Sequence, residues 1–251
     1  MAKLLHFEFH KLIRQKSFYI CLAVAVAMLV VSTCTTYLIN KDVMDTAEMG
    51  IDAMNVMIGS ASGGVLSMVI GVFIPLFACE DYVSGTIRNI VTRGYSRLGI
   101  FSAKLIAVML ATAVMTIACM AAGYLIGLIF SGSGVEPFDA ATVKILLCQL
   151  AVMLAEGALF YAISTVLQKT GGSIAVCLVL PMVLTIVLTL ADTALAEKDI
   201  SLSAYWLERI SGTLSSFDVK SADMKKALLT ALGYFVVTSV GSFLAVMKRE
   251  Y

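Results

Sequence analysis

Few residues of this chain have the type and spacing to do chemistry. His6 and His10, the only histidines, stand four apart on one helical face, a spacing that holds zinc when further ligands converge. Glu8 points elsewhere on such a helix, so contact with lipid headgroups is the better reading of the pair. Glu156 is the one charge inside the apolar run 145–168. Gln149 precedes it by seven residues on the same helical face, and Tyr161 is within reach. A charged group at a bilayer centre costs at least about 2.5 kcal/mol, so this carboxyl needs a reason. Two stay open: a polar patch on a substrate or ion route, or a packing carboxyl hydrogen-bonded to a neighbouring helix.

Adjacent acids, Glu80 and Asp81, open the most polar stretch, "CEDYVSGTIRNIVTRGYSR" at residues 79–97. An intramembrane metalloprotease would need histidines to follow them, and none do. A Ser/His/Asp or Cys/His constellation is also out of reach, because both histidines lie near the N-terminus. No GxxxxGK[ST] loop occurs, and the pairs Gly63–Gly64 and Gly171–Gly172 lack the following lysine. The chain therefore reads as a non-enzyme that holds no cofactor of its own. The six cysteines (Cys21, Cys34, Cys79, Cys119, Cys148, Cys177) form no CxxC pair and read as small hydrophobes, as the 14 methionines read as packing.

The elements that must carry these residues follow from composition. Charged residues make up 14% of the 251, against about 25% in soluble domains, and mean hydropathy is +0.94. Such a chain cannot cover a soluble surface, and the bilayer resolves the deficit. Uncharged runs recur, each reaching the roughly 20 residues that a helix needs to cross. The expected fold is all-α and polytopic, one transmembrane domain with six spans near 19–39, 60–79, 105–130, 145–167, 171–191 and 227–247. Strands of alternating polarity, the mark of a membrane barrel, do not occur.

Lysine and arginine set the orientation. Lys3, Lys11, Arg14 and Lys16 precede the first span, and Arg88, Arg93, Arg97 and Lys104 follow the second. Lys169 lies after the fourth, with Lys248 and Arg249 at the end. The alternate loops carry Asp42, Asp45, Glu48 and Asp52, then Glu136 and Asp139. Both termini and the 80–97 loop are thus expected in the cytoplasm. Residues 1–17 form an amphipathic helix with Leu5, Phe9, Leu12 and Ile13 on one face and Lys3, His6, His10 and Arg14 opposite, suited to the membrane interface. The outer segment 192–226 holds Tyr205 and Trp206, a pattern for a short helix at headgroup level, either a gate or a plain connection. Small-residue pairs, Gly59 with Gly63 and Gly123 with Gly127, permit close helix approach within the subunit or in a dimer. Pro75 and Pro181 mark bends in the second and fifth spans.

Within 79–104, an ordered set of residues resembles the cytoplasmic loop of type-2 ABC transporter permeases: Glu80, then Gly85-Thr86, Arg88, Ser96-Arg97 and Lys104. The amphipathic start, six spans and outer segment before the last span resemble the same family, so the likeness covers nearly the whole chain. Gly94-Tyr95 stands where the family often has a proline. Similarity is to the small six-span kind that exports antimicrobial peptides or antibiotics.

That resemblance implies a permease that moves an amphipathic substrate out of a bacterial cell across the plasma membrane. It implies two ABC ATPase subunits holding ATP and Mg, and a second permease subunit, identical or related. A coupling helix between spans two and three would dock on the ATPase, with Glu80, Asp81, Tyr82, Gly85, Thr86 and Arg88 as contacts. Two other classes compete with it: a secondary transporter with Glu156 as coupling carboxylate, and a non-transporting sensor or immunity protein. Nothing points to nucleic acid.

Overall fold

A computed structural model describes residues 2–43, 53–92, 94–130, 140–195, 201–215, 219 and 221–247, and those residues are helical with short connections. The helices are α1 (Ala2–Arg14), α2 (Lys16–Val43), α3 (Ala53–Ser60), α4 (Gly63–Val83), α5 (Thr86–Thr92) and α6 (Arg97–Phe130). There follow α7 (Ala140–Leu167), α8 (Thr170–Ala194), a single 3-10 turn (Ser203–Tyr205), α9 (Leu207–Leu214) and α10 (Ser221–Met247). Among the described residues, six segments are long and apolar enough to cross a membrane: α2, α3 with α4, α6, α7, α8 and α10. Arg93, the acids at 45, 48, 52, 136 and 139, and the basic residues at 248 and 249 lie outside the described residues, as does the burial of Asp42.

The second span departs from the expected 60–79. It begins at Ala53 and is broken at Ala61-Ser62, within the run "GSASGG", whose Gly and Ser residues are poor helix formers. A break leaves the last carbonyls of α3 without their helical donors, which is expensive in hydrocarbon. Nearby groups repair it. Ser60 Oγ donates to the Met57 carbonyl at 2.7 Å and Ser62 Oγ to that of Gly59 at 2.6 Å. Gln149 Nε2, from α7, donates to the Ile58 carbonyl at 3.0 Å. The helix runs on through Pro75 in α4 and Pro181 in α8.

Helix α7 is the hub, packing on α4, α6 and α10. Its Met153, Phe160 and Tyr161 join Phe73, Ile74 and Phe77 of α4 and Ala107, Ala111 and Met115 of α6 in the largest buried cluster. Helix α6 lies so close to α3 that a Cβ on Gly127 would stand 2.5 Å from the Ala53 Cα, and one on Gly123 would stand 2.8 Å from Ser60. These two glycines therefore serve contact within the subunit. Gly59 has open space around it. Helices α8 and α10 form the periphery and leave Met182, Ile186, Leu190, Leu229, Val236 and Val237 exposed. Such faces belong against lipid or another membrane subunit.

At the far end, α9 is wedged against α7 and α10. Leu207, Ile210 and Leu214 are buried with Val152, Ala155, Ala227 and Ala231. Trp206 packs inward, against its neighbours in the protein. It is buried, stacks edge-on with Tyr234 at 6.1 Å and donates from Nε1 to Thr185 Oγ1 at 2.9 Å, because its indole N–H finds that partner on α8. Tyr205 keeps an exposed ring.

Candidate functional site

The polar stretch that opens the loop divides between two helices. Glu80, Asp81 and Tyr82 belong to the last turn of α4, which runs on to Val83, and not to the short helix α5. Gly85 then ends α4 in the left-handed region at φ +71°, with the Ser84 N–H returned to the Glu80 carbonyl at 2.9 Å and the Gly85 N–H 3.4 Å from that of Tyr82. Thr86 begins α5, and its hydroxyl meets that of Ser84 at 2.8 Å. Arg88 sits within α5, but its side chain lies outside the described residues. Beyond α5, Gly94 takes φ +83°, a conformation closed to proline, so the loop end has its own shape here. Ser96 caps α6, its Oγ accepting the Gly99 N–H at 3.2 Å and its carbonyl the Ile100 N–H at 3.1 Å. The residue pattern thus encodes a stop, a turn and a start.

A charge relay ties this loop to its neighbours. Lys104 of α6, 2% exposed, donates to Asp81 Oδ2 and, at 3.3 Å, to the Ala78 carbonyl. Lys11 of α1 donates to Asp81 Oδ1 at 2.5 Å and lies 3.0 Å from Glu80 Oε2. Gln15 Nε2 adds a bond to Glu80 Oε2 at 3.3 Å. Both ammonium groups also sit over rings, Lys11 over Phe77 at 5.3 Å and Lys104 over Tyr82 at 5.7 Å. Asp81, 4% exposed, is therefore occupied inside the protein, whereas Glu80 keeps half its side chain in the open. Burial pulls the Lys11 ammonium down, but the hydrogen bond and charge of Asp81, helped by Glu80, outweigh it and hold it above its ordinary value.

Helix α1 exposes Lys3, His6, His10 and Arg14 as expected, but the stripe it turns inward is shifted. Its inward stripe is Leu4, Glu8 and Leu12, all buried, while Ile13 and Phe7 are exposed. Leu4 packs with Ile100 and Ala103 of α6, and Leu5, Ile90 and Tyr95 close around them. Glu8 is 1% exposed and its Oε2 has no partner among the described residues. Burial pushes its carboxyl above the ordinary carboxylate value; Lys104 and Lys11 pull it back and Asp81 adds to the rise. Sequence reasoning used Lys11 only for orientation and set Glu8 aside. The signal for both was there, since Glu8, Lys11 and Gln15 share a stripe with Leu4 and Leu12 at spacings of three and four.

Gln149 and Glu156 of α7 do face one way, toward the broken span. Gln149 repairs the end of α3, and Glu156, 3% exposed, accepts from Ser67 Oγ of α4 through Oε1. Both bond to the second span, and among the described residues Gln149 Oε1 has no partner. Tyr161 Oη donates to the Phe101 carbonyl at 3.2 Å. His6 and His10 stack at 6.4 Å, and among the described residues no group of three or more His, Cys, Asp or Glu is placed to hold a metal ion. Residues 4–192 match the family model described as "ABC-2 family transporter protein". No curated protein matches the chain.

Proposed function

The chain belongs to the ABC-2 family of transporter proteins, membrane permeases that in general work with a separate ABC ATPase, and from that premise we propose that the end of α4 and α5 form its coupling site. The observation that carries this reading is the relay Lys11–Asp81–Lys104. It joins α1, α4 and α6 at the end of α4, the helix that α5 follows and packs on, so that α5 is linked through α4 to all three. Glu80, Tyr82, Gly85, Thr86 and Arg88 are the contact positions for the ATPase, and Asp81 acts behind them as a positioning residue. The lysine and arginine asymmetry favours a cytoplasmic setting for α1, α5 and both termini in a bacterial plasma membrane. Two ATPase copies, with their ATP and Mg, would serve two permease subunits, identical or related. The cargo is an amphipathic peptide, antibiotic or similar compound, and it is exported; support for this class is the likeness to small six-span exporters.

Co-purification in mild detergent, read by mass spectrometry, tests the site on wild type and on a Glu80→Lys, Thr86→Trp variant. The expected result is an ABC ATPase that elutes with wild type and is lost from a variant that remains folded. Full retention by the variant, or no ATPase even after crosslinking, overturns the assignment.

A further inference from the structure

At the end opposite α5, a polar cavity of about 450 Å³ is lined by Asp192, Arg209, Asp223 and Lys226, among others. A second, apolar space of about 680 Å³ runs along the outer face of α10 past Tyr205, Leu229, Gly233, Tyr234 and Val237. Lys226 lines both, and its ammonium lies 4.3 Å from the centre of the Tyr205 ring. We infer that the two spaces form one site for a zwitterionic phospholipid, its head between α9 and α10 and an acyl chain in the α10 furrow.

Charge and length both support this occupant. The polar cavity carries two cations and two carboxylates, so its four named charges cancel. Asp192 is already committed, accepting the Leu202 N–H at 2.6 Å and the Ser203 N–H at 3.1 Å. Among the described residues, Arg209, Lys226 and Asp223 make no salt bridge; the ones present all lie at the other end. A phosphate suits Arg209 and Lys226 and an ammonium suits Asp223, whereas a purely anionic head leaves Asp223 uncompensated. From Lys226 to Val237 is 11 residues, about 16 Å of helix, close to half the roughly 30 Å of hydrocarbon in a bilayer. The furrow thus matches the depth of one leaflet. Gly233 makes it: a Cβ added there meets nothing within 4 Å, so the space is open outward. The site is independent of which ATPase drives the protein and of which way the chain faces.

Trp206 is the only tryptophan, and its ring is 6.1 Å from that of Tyr234 on the furrow wall, so it reports locally. The full chain is reconstituted in vesicles whose brominated acyl chains are carried in turn by phosphatidylethanolamine, phosphatidylcholine or phosphatidylglycerol at equal mole fraction. Both zwitterionic lipids are expected to quench Trp206 more strongly than phosphatidylglycerol, with an apparent enrichment of about fivefold, the size of one charge's attraction at a membrane surface. Asp223→Asn is expected to erase that preference, Lys226→Gln to weaken quenching by all three phospholipids, and Gly233→Leu to weaken it by filling the furrow. Asp223 and Gly233 are exposed and Lys226 is half-buried, so these variants retain the fold, checked by unchanged Trp206 emission in unbrominated vesicles. Equal or stronger quenching by phosphatidylglycerol in wild type, or a zwitterion preference that survives Asp223→Asn, overturns the site.

Discussion

Replacing Asp81 by Asn keeps the shape of the relay and removes the charge that two lysines share. The consequences for the two are unequal. Lys11 is 18% exposed and still has Glu80 at 3.0 Å, so it relaxes toward that carboxylate and solvent. Lys104 is 2% exposed and is left with the Ala78 carbonyl at 3.3 Å and the face of the Tyr82 ring, neither of which carries a charge to balance it. Stranding one partner of a buried ion pair costs about 3–5 kcal/mol, which for a chain of this size lowers the unfolding midpoint by on the order of 6–20 °C. Lys104→Met removes the stranded cation instead and leaves Asp81 paired with Lys11. Its cost is that of a charge-assisted hydrogen bond, about 1.5–3 kcal/mol. Lys11→Gln touches the more accessible pair and costs about 1 kcal/mol. The double variant Asp81→Asn, Lys104→Met should recover part of the Asp81→Asn loss, because no unpaired ammonium remains. Thermal unfolding of the purified protein in one detergent, followed for all four variants, measures the order. An Asp81→Asn variant no less stable than Lys11→Gln, or a double variant less stable than Asp81→Asn alone, would refute the relay.

Glu8→Gln tests the buried carboxyl of α1 by pH. Burial raises the folded-state pKa above the ordinary 4.5, so bound proton stabilises the fold at acid pH, and that contribution is lost as pH rises from 4.5 through the raised value. The variant should therefore gain on wild type over that window in a melting series, and a constant difference across it would contradict the reading. Gly127→Ala forces a methyl to within 2.5 Å of the Ala53 backbone, an overpacking cost of about 1–3 kcal/mol. Gly59→Ala has open space and should be neutral or slightly stabilising, so equal melting losses for the two would count against the α3–α6 contact.

Hydropathy alone determined the class of this protein and the number of its spans, because crossing a bilayer is a property of some 20 consecutive residues and needs no knowledge of their neighbours. The loop signals were local too. Gly85 ends a helix and Ser96 begins one for reasons contained within four residues of each. Gln149 and Glu156 were rightly put on one face, since seven residues is two helical turns. What that face met was decided by packing: at the break the Ile58 carbonyl loses its helical donor, keeps only a 3.3 Å bond from the Ala61 N–H, and so gives Gln149 a use. The relay was invisible for the same reason. Lys11 and Lys104 stand 70 and 23 residues from Asp81, and no local pattern announces which acid a distant lysine will find. Helix α1 shows the limit best. Its apolar residues admit two settings, and a count of hydrophobic positions favoured the one that leaves Glu8 outside. The fold chose the other because α6 offers Leu4 an apolar seat and Asp81 offers Lys11 a charge, contacts that exist only once α4 and α6 stand side by side.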